Sequence, residues 1–204
     1  MNKEQVCKKL KELTDFSEES QDDLEKFINF LIEYNQKINL VGKSTIDDIW
    51  FRHILDSAQL IKYISKDKKV ADFGTGAGFP GIVLSILGVK EISLFEKSFR
   101  KCEFLNEAKN ISKNKISVFH ENVFKTQAQE FDILTCRALA SLNKLFNMLT
   151  PFMSKNSTLI LLKGKKIHEE IKEAKKSWKF DFELFDSLTS DEGKVVVVKN
   201  VLKK

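Results

Sequence analysis

Apolar residues follow two different rhythms along this chain, and the change comes between residues 65 and 69. Before it the spacing is helical. Leu24, Phe27, Ile28, Leu31 and Ile32 recur three and four apart within Asp23–Tyr34, which predicts a helix with one apolar stripe, capped by Ser17 or Ser20. Gly42–Thr45 reads as a break, and a second helical stretch is predicted at Ile46–Ile64. No strand-like alternation of any length occurs here.

From Lys69 onward, short apolar runs alternate with helical segments. The runs predict strands at Lys69–Phe73, Glu91–Glu96, Ile116–His120, Phe131–Cys136, Ser157–Lys163, Phe180–Leu188 and Val195–Val201. Helices are predicted at Pro80–Leu87, Phe99–Ile111, from Ser141 through Phe146 and beyond, and at His168–Ser177. Alternating β and α units imply a mostly parallel sheet with helices on both faces. The last two strands follow each other without a helix, so one of them is expected to run antiparallel. The expected division is a helical N-terminal extension at 1–65 and an α/β domain at 66–204.

Bulk properties narrow the function only slightly. The chain has 204 residues and a net charge of +5, from 34 basic and 29 acidic side chains. That excess permits an anionic partner without demanding one. Cys7, Cys102 and Cys136 are odd in number, widely spaced and lack a C-x-x-C pair. This argues against a disulfide framework or a zinc site, and fits a reducing compartment. The first residues lead into a charged stretch rather than a signal peptide, and no apolar run approaches the roughly 18 residues of a membrane span. The expectation is a cytoplasmic protein, with no membrane and no metal.

The chemistry concentrates after the first strand. Asp72-Phe73-Gly74-Thr75-Gly76-Ala77-Gly78-Phe79-Pro80-Gly81 joins that strand to a helix. Glycines there let the backbone turn tightly and approach a ligand, while the helix start offers free N–H groups. Phe79 stands where the dinucleotide fingerprint needs Gly or Ala, and the Lys-Ser/Thr end of a P-loop is absent. Asp72, Gly74, Gly76 and Gly78 instead resemble motif I of class I S-adenosylmethionine-dependent methyltransferases. Glu96 ends the next strand about 20 residues on, placed to accept both ribose hydroxyls, although an exposed strand-end Glu would look the same. Asn122 and Val123 follow the third strand, where that resemblance puts the adenine edge; Asn122 is equally a turn former.

Longer strings narrow the resemblance. Tyr34-Asn35 with Asn39-Leu40, Arg52-His53-Ile54-Leu55-Asp56-Ser57, Gly78-Phe79-Pro80-Gly81, Arg137-Ala138-Leu139-Ala140-Ser141-Leu142 and Leu162-Lys163-Gly164 together resemble the glucose-inhibited division protein B family, ribosomal RNA small-subunit methyltransferase G. The likeness runs from about residue 30 to the C-terminus. It implies a Rossmann-like, mostly parallel seven-stranded sheet with a helical N-terminal extension. It also implies S-adenosylmethionine as cofactor and methyl transfer to N7 of a guanine in small-subunit (16S) ribosomal RNA, by a chain expected to be a monomer. By motif position the cofactor contacts are Gly74, Phe79, the Asn122–Val123 backbone and Arg137. Two stretches depart from the family pattern, Glu121 and Gly193-Lys194, which leaves Lys194 as a candidate RNA contact.

The residue types agree with that chemistry. Guanine N7 carries an in-plane lone pair and no proton, so attack on a sulfonium methyl needs positioning and electrostatics rather than a base. Exocyclic-amine methylation would bring an Asn/Asp-Pro-Pro-aromatic motif after the fourth strand, where Thr135-Cys136-Arg137-Ala138 stands instead. Cys136 lacks the Pro-Cys context of cytosine C5 enzymes and reads as a small buried hydrophobe. Arg137, at a strand's C-terminal end, is the candidate active-site side chain, to orient cofactor or bind phosphate; a structural salt bridge is its alternative. Lys163 is expected to contact phosphate or base, while Lys165 and Lys166 are either further phosphate contacts or a solvated loop. His53 and Asp56, three apart on one helix face, could with Arg52 clamp the cofactor loop or form a local hydrogen-bond network, and both read as structural rather than catalytic. Two other functions stay open from sequence: methyl transfer to a small molecule or protein, and a non-catalytic RNA-binding assembly factor.

Overall fold

The computed structural model of the chain describes all residues except 121–128 and 138. Helices α1 (Lys3–Leu13) and α2 (Glu18–Asn35) open it. Both begin on side-chain caps. Asn2 and Gln5 bond reciprocally in a capping box, and Ser17 Oγ accepts the Ser20 N–H at 3.1 Å. Val6, Cys7 and Leu10 form the buried stripe of α1, and Leu24, Phe27, Ile28 and Leu31 that of α2. Asn35 then organises the exit turn. Its Oδ1 accepts from Leu40 N at 2.7 Å and Val41 N at 3.0 Å.

The stretch predicted as one helix at Ile46–Ile64 is helical but not uniform. A π-helical segment Trp50–Leu55 passes into a short α-helix α3 (Asp56–Ala58) and a 3-10 turn Gln59–Tyr63. The wider and tighter turns change which side chains share a face, so apolar periodicity alone misjudges them.

Seven strands follow: β1 (Lys69–Phe73), β2 (Glu91–Glu96), β3 (Lys115–His120), β4 (Phe131–Arg137), β5 (Met153–Lys163), β6 (Trp178–Asp186) and β7 (Lys194–Lys203). Helices α4 (Gly81–Ile86), α5 (Phe99–Ala108), α6 (Leu142–Leu149) and α7 (Ile167–Ser177) lie between them. The order across the sheet is β3-β2-β1-β4-β5-β7-β6, with β7 antiparallel to both neighbours and every other pairing parallel. The expected antiparallel strand is therefore β7. The direction of chain progress reverses between β1 and β4, which puts the ligand crevice at their C-terminal ends.

Both sheet faces are buried, and strand parity assigns each residue to one of them. Val70, Ile92, Ile133, Ile160 and Leu162 meet the N-terminal helices, α4 and α5. Ala71, Phe73, Leu134, Cys136, Leu159 and Leu161 meet α6 and α7. Stacked rings reinforce that second layer, Phe73 on Phe95 at 4.6 Å and Phe95 on Phe119 at 4.9 Å between centroids. No helix among the described residues is long and apolar enough to cross a membrane.

Candidate methyl-transfer site

The glycine loop leaves β1 and is held from beneath. The Phe95 carbonyl accepts the Gly74 and Thr75 N–H groups at 2.8 and 3.2 Å, and the Thr75 carbonyl accepts those of Gly78 and Phe79 at 3.0 Å each. Gly74, Gly76 and Gly78 all take positive φ, at 68°, 61° and 88°. Gly76 is the informative one. A Cβ there would meet nothing closer than the Gly74 carbonyl at 3.9 Å, so the space over this backbone is open to a ligand. Gly81 is the opposite case. Its Cβ would fall 2.2 Å from Leu94 Cδ2 and 2.9 Å from Asp72 Oδ2, so glycine is required for α4 to seat on the sheet. Pro80, predicted in the first helical turn, is the N-cap residue just before Gly81.

Two carboxylates brace the loop. Asp72 is fully buried; its Oδ2 accepts from Thr75 Oγ1 at 2.6 Å and Gly81 N at 2.9 Å, while Oδ1 has no partner among the described residues. Burial pushes its pKa up to about 6, against the two hydrogen bonds. Glu96 is 7% exposed, so it is no free strand-end Glu. Its Oε2 accepts the Gly76 N–H at 3.0 Å and its Oε1 the Ser98 N–H at 2.8 Å. Each oxygen keeps a further lone pair for a hydroxyl. The open backbone at Gly76 beside a carboxylate fits S-adenosylmethionine, the group this fold implies.

Arg137 ends β4 on the face of Ile133 and Thr135, toward the N-terminal segment. Its Nη2 donates to His53 Nδ1 at 3.0 Å, its Nη1 lies 3.4 Å from Asp56 Oδ2 and from the Arg52 carbonyl, and its Cζ stands 5.1 Å over the Phe79 ring. His53 stacks on the same ring at 4.9 Å and bonds Thr45 Oγ1 through Nε2 at 2.9 Å. Burial pushes the His53 pKa down to about 4, with the Arg137 and Arg52 charges adding to it. Phe79, expected against the cofactor, has its ring buried between Phe27, His53 and Arg137. Asp56 extends the network, taking Thr189 Oγ1 at 2.6 Å and Gln59 Nε2 at 3.1 Å. Gln59 Oε1 in turn accepts the Leu188 N–H at 2.8 Å. Sequence reasoning gave His53 and Asp56 a local structural role and missed Gln59 and Thr189. The Arg52–Ser57 string was the available signal.

Lys163 lies on the opposite face. Its ammonium bonds Glu170 Oε2 and the Ala140 carbonyl, both at 2.6 Å, which uses two of its three N–H donors. The same Glu170 oxygen accepts the Leu142 N–H at 2.9 Å, so Lys163 clamps the segment entering α6. Lys194 pairs with Asp186 at the start of β7. Lys165 and Lys166 are exposed, with Lys165 only 3.9 Å from Glu192. Arg137, Lys163 and Lys194 nevertheless border one hollow of about 440 Å³ at the strand ends, with Asp56, Leu139 and Glu170. Leu139 also lies over Gly74, 2.7 Å from where its Cβ would be. The expected adenine-side residues Asn122 and Val123, and Glu121, lie outside the described residues. Cys136 is buried, and its thiol is pushed up to about 12 by that burial, which leaves it inert as a nucleophile. No cluster of metal-ligating side chains occurs among the described residues.

Known proteins share this architecture. A mutant of MtNAS in complex with S-adenosylmethionine superposes with a TM-score of 0.60 at 14% identity, covering 88% of this chain and 75% of that one. A TehB-like SAM-dependent methyltransferase from Corynebacterium glutamicum gives 0.57 at 13% identity, covering 83% and 97%. These likenesses establish a class I S-adenosylmethionine-dependent methyltransferase fold. Sequence relatives are much nearer. Ribosomal RNA small subunit methyltransferase G of Rickettsia prowazekii (strain Madrid E) is 46% identical over 181 residues, 88% of this chain and 94% of that protein. The Rickettsia akari (strain Hartford) protein of the same name is 45% identical over 188 residues, 92% and 97%. The family profile for rRNA small subunit methyltransferase G, GidB, matches residues 20–195. The chain therefore belongs to the rRNA small subunit methyltransferase G family.

Proposed function

We propose that this chain transfers a methyl group from S-adenosylmethionine to N7 of a guanine in small-subunit (16S) ribosomal RNA, as a cytoplasmic monomer. Family membership supports the ribosomal RNA acceptor. One observation carries the choice of atom: among the described residues, four side chains around the strand ends that could act as base or nucleophile are engaged or buried. His53 Nδ1 accepts from Arg137, Asp56 is shared by Arg137, Gln59 and Thr189, Glu170 holds Lys163, and the Cys136 thiol is buried. An acceptor atom with a lone pair and no proton needs none of them.

S-adenosylmethionine supplies the electrophilic methyl. The Gly74–Gly78 backbone and Glu96 hold it at the crevice, the carboxylate taking ribose hydroxyls. Arg137 orients the reacting groups and adds positive charge for a phosphate or for guanine O6. Lys165, Lys166 and Lys194 draw the RNA backbone to the strand ends. Residues 1–65 act as an extension that completes the acceptor side of the 66–204 domain; the Arg137 contacts to His53 and Asp56 support that reading.

The test uses small subunits from cells lacking this gene, with methyl-labelled cofactor, followed by borohydride and aniline cleavage. One new cut in the small-subunit RNA is the expected result. Label in RNA without a cut would reject N7, and label only in protein or small molecules would reject the RNA acceptor.

A further inference from the structure

The donor and acceptor roles around His53 admit one solution. Arginine has no acceptor, so the Arg137–His53 contact requires an unprotonated Nδ1. The proton must then sit on Nε2 and be given to Thr45 Oγ1, whose own hydroxyl is given to the Gly42 carbonyl at 2.7 Å. A chain of hydrogen bonds thus runs from Arg137 through His53 and Thr45 to the turn at Gly42, each member with a fixed sense. Stacking on Phe79 fixes the imidazole plane. The ring is buried and flanked by Arg137 and Arg52, so it stays neutral at physiological pH.

Arg137 has fewer anchors without it. Its other polar contacts among the described residues, to Asp56 and the Arg52 carbonyl, are both long at 3.4 Å. The 3.0 Å bond to His53 is the short one, and it leaves the remaining guanidinium N–H groups for the hollow at the strand ends. We propose that His53 is a positioning residue for methyl transfer: its unprotonated Nδ1 and its stack on Phe79 set the plane in which Arg137 meets the reacting groups. This rests on the reading that Arg137 touches cofactor or acceptor.

The test is a double-mutant cycle read as kcat at saturating cofactor and RNA, on variants shown to be folded by their melting curves. His53→Asn keeps an acceptor where Nδ1 stands; His53→Gln moves its amide to the Nε2 position and takes that acceptor away. Asn is expected to hold kcat within about threefold of the parent, and Gln to lower it about tenfold, the size of one lost charge-assisted hydrogen bond. Adding Arg137→Ala to His53→Gln is expected to cost nothing beyond Arg137→Ala alone. Equal losses for Asn and Gln, or losses that multiply in the double variant, would assign His53 to packing and overturn the inference. Full kcat in Arg137→Ala alone would instead remove the reading beneath it.

Discussion

Arg137 and Lys163 end adjacent parallel strands of one sheet, yet their side chains leave by opposite faces. Arg137 turns to His53 and Asp56 in the N-terminal segment, Lys163 to Glu170 on α7. Register explains it: Arg137 lies opposite Leu162, so Lys163 is one residue out of phase with it. The two cations consequently do different work.

Lys163 stabilises the fold through an ion pair in which its side chain is 7% exposed and that of Glu170 22%. Lys163→Ala should lower unfolding free energy by about 3 kcal/mol, because Glu170 is left poorly solvated without its partner. Lys163→Met with Glu170→Gln should recover part of this, since Gln still accepts the Leu142 N–H. Urea denaturation measures both. An Ala variant of undiminished stability that no longer binds small-subunit RNA would show instead that the ammonium serves the RNA.

Gly76 and Gly81 should separate binding from folding. Gly76→Ala meets no neighbour, so the protein should fold, at a cost of about 1–2 kcal/mol for a positive φ. The added methyl enters the ligand space, and calorimetric affinity for S-adenosylmethionine should fall at least about tenfold. Gly81→Ala collides with Leu94 and Asp72 and should cost about 3 kcal/mol of stability. Equal melting temperatures for the two variants would contradict this.

Glu96 orders the loop and, under the proposed function, takes the ribose hydroxyls of the cofactor. Glu96→Ala leaves the Gly76 and Ser98 N–H groups without their acceptor. Cofactor affinity should weaken about 30-fold, the equivalent of about 2 kcal/mol, the range for hydrogen bonds to a charged group. Glu96→Gln should recover only part of it, because its amide nitrogen cannot accept. Unchanged affinity in both would exclude Glu96 from the cofactor site.

Acid should act on this fold through two opposed terms. His53 titrates at about 4 when folded and near its ordinary 6.5 when unfolded, so between these values the unfolded chain binds more protons. Its contribution is complete above pH 6.5 and is lost as pH falls toward 4. Asp72 titrates at about 6 when folded and 3.8 when unfolded, so there the folded chain binds more protons and gains stability as pH falls. Each term amounts to about 3 kcal/mol. Asp72→Asn removes the compensation, and its stability should drop more steeply than the parent's from pH 6.5 to 4. Parallel urea-midpoint profiles for the two proteins would refute the assignment.

Cys136 should be dispensable for chemistry. Cys136→Ala should keep kcat within about twofold while lowering stability by about 1 kcal/mol for the lost sulfur packing. A variant that folds but transfers no methyl would restore a nucleophilic thiol to consideration.

Much of this was legible along the chain because its causes are local. Strands Lys69–Phe73 and Glu91–Glu96 were readable to the residue, each being an apolar run ended by a glycine loop or a polar turn. The Asp72–Gly81 loop and Glu96 stood out because a tight turn and a carboxylate at a strand's C-terminal end demand particular residue types at particular spacing. The irregular 50–63 stretch did not, since π and 3-10 turns answer to the packing around them rather than to their own apolar period. Only the tertiary structure chose partners. It joined His53 to Arg137 across 84 positions, buried Phe79 beneath both, and gave Lys163 to Glu170 rather than to open solvent. A side chain's polarity belongs to the sequence. Which donor meets which acceptor is decided by strand register and by the helices that close over each face.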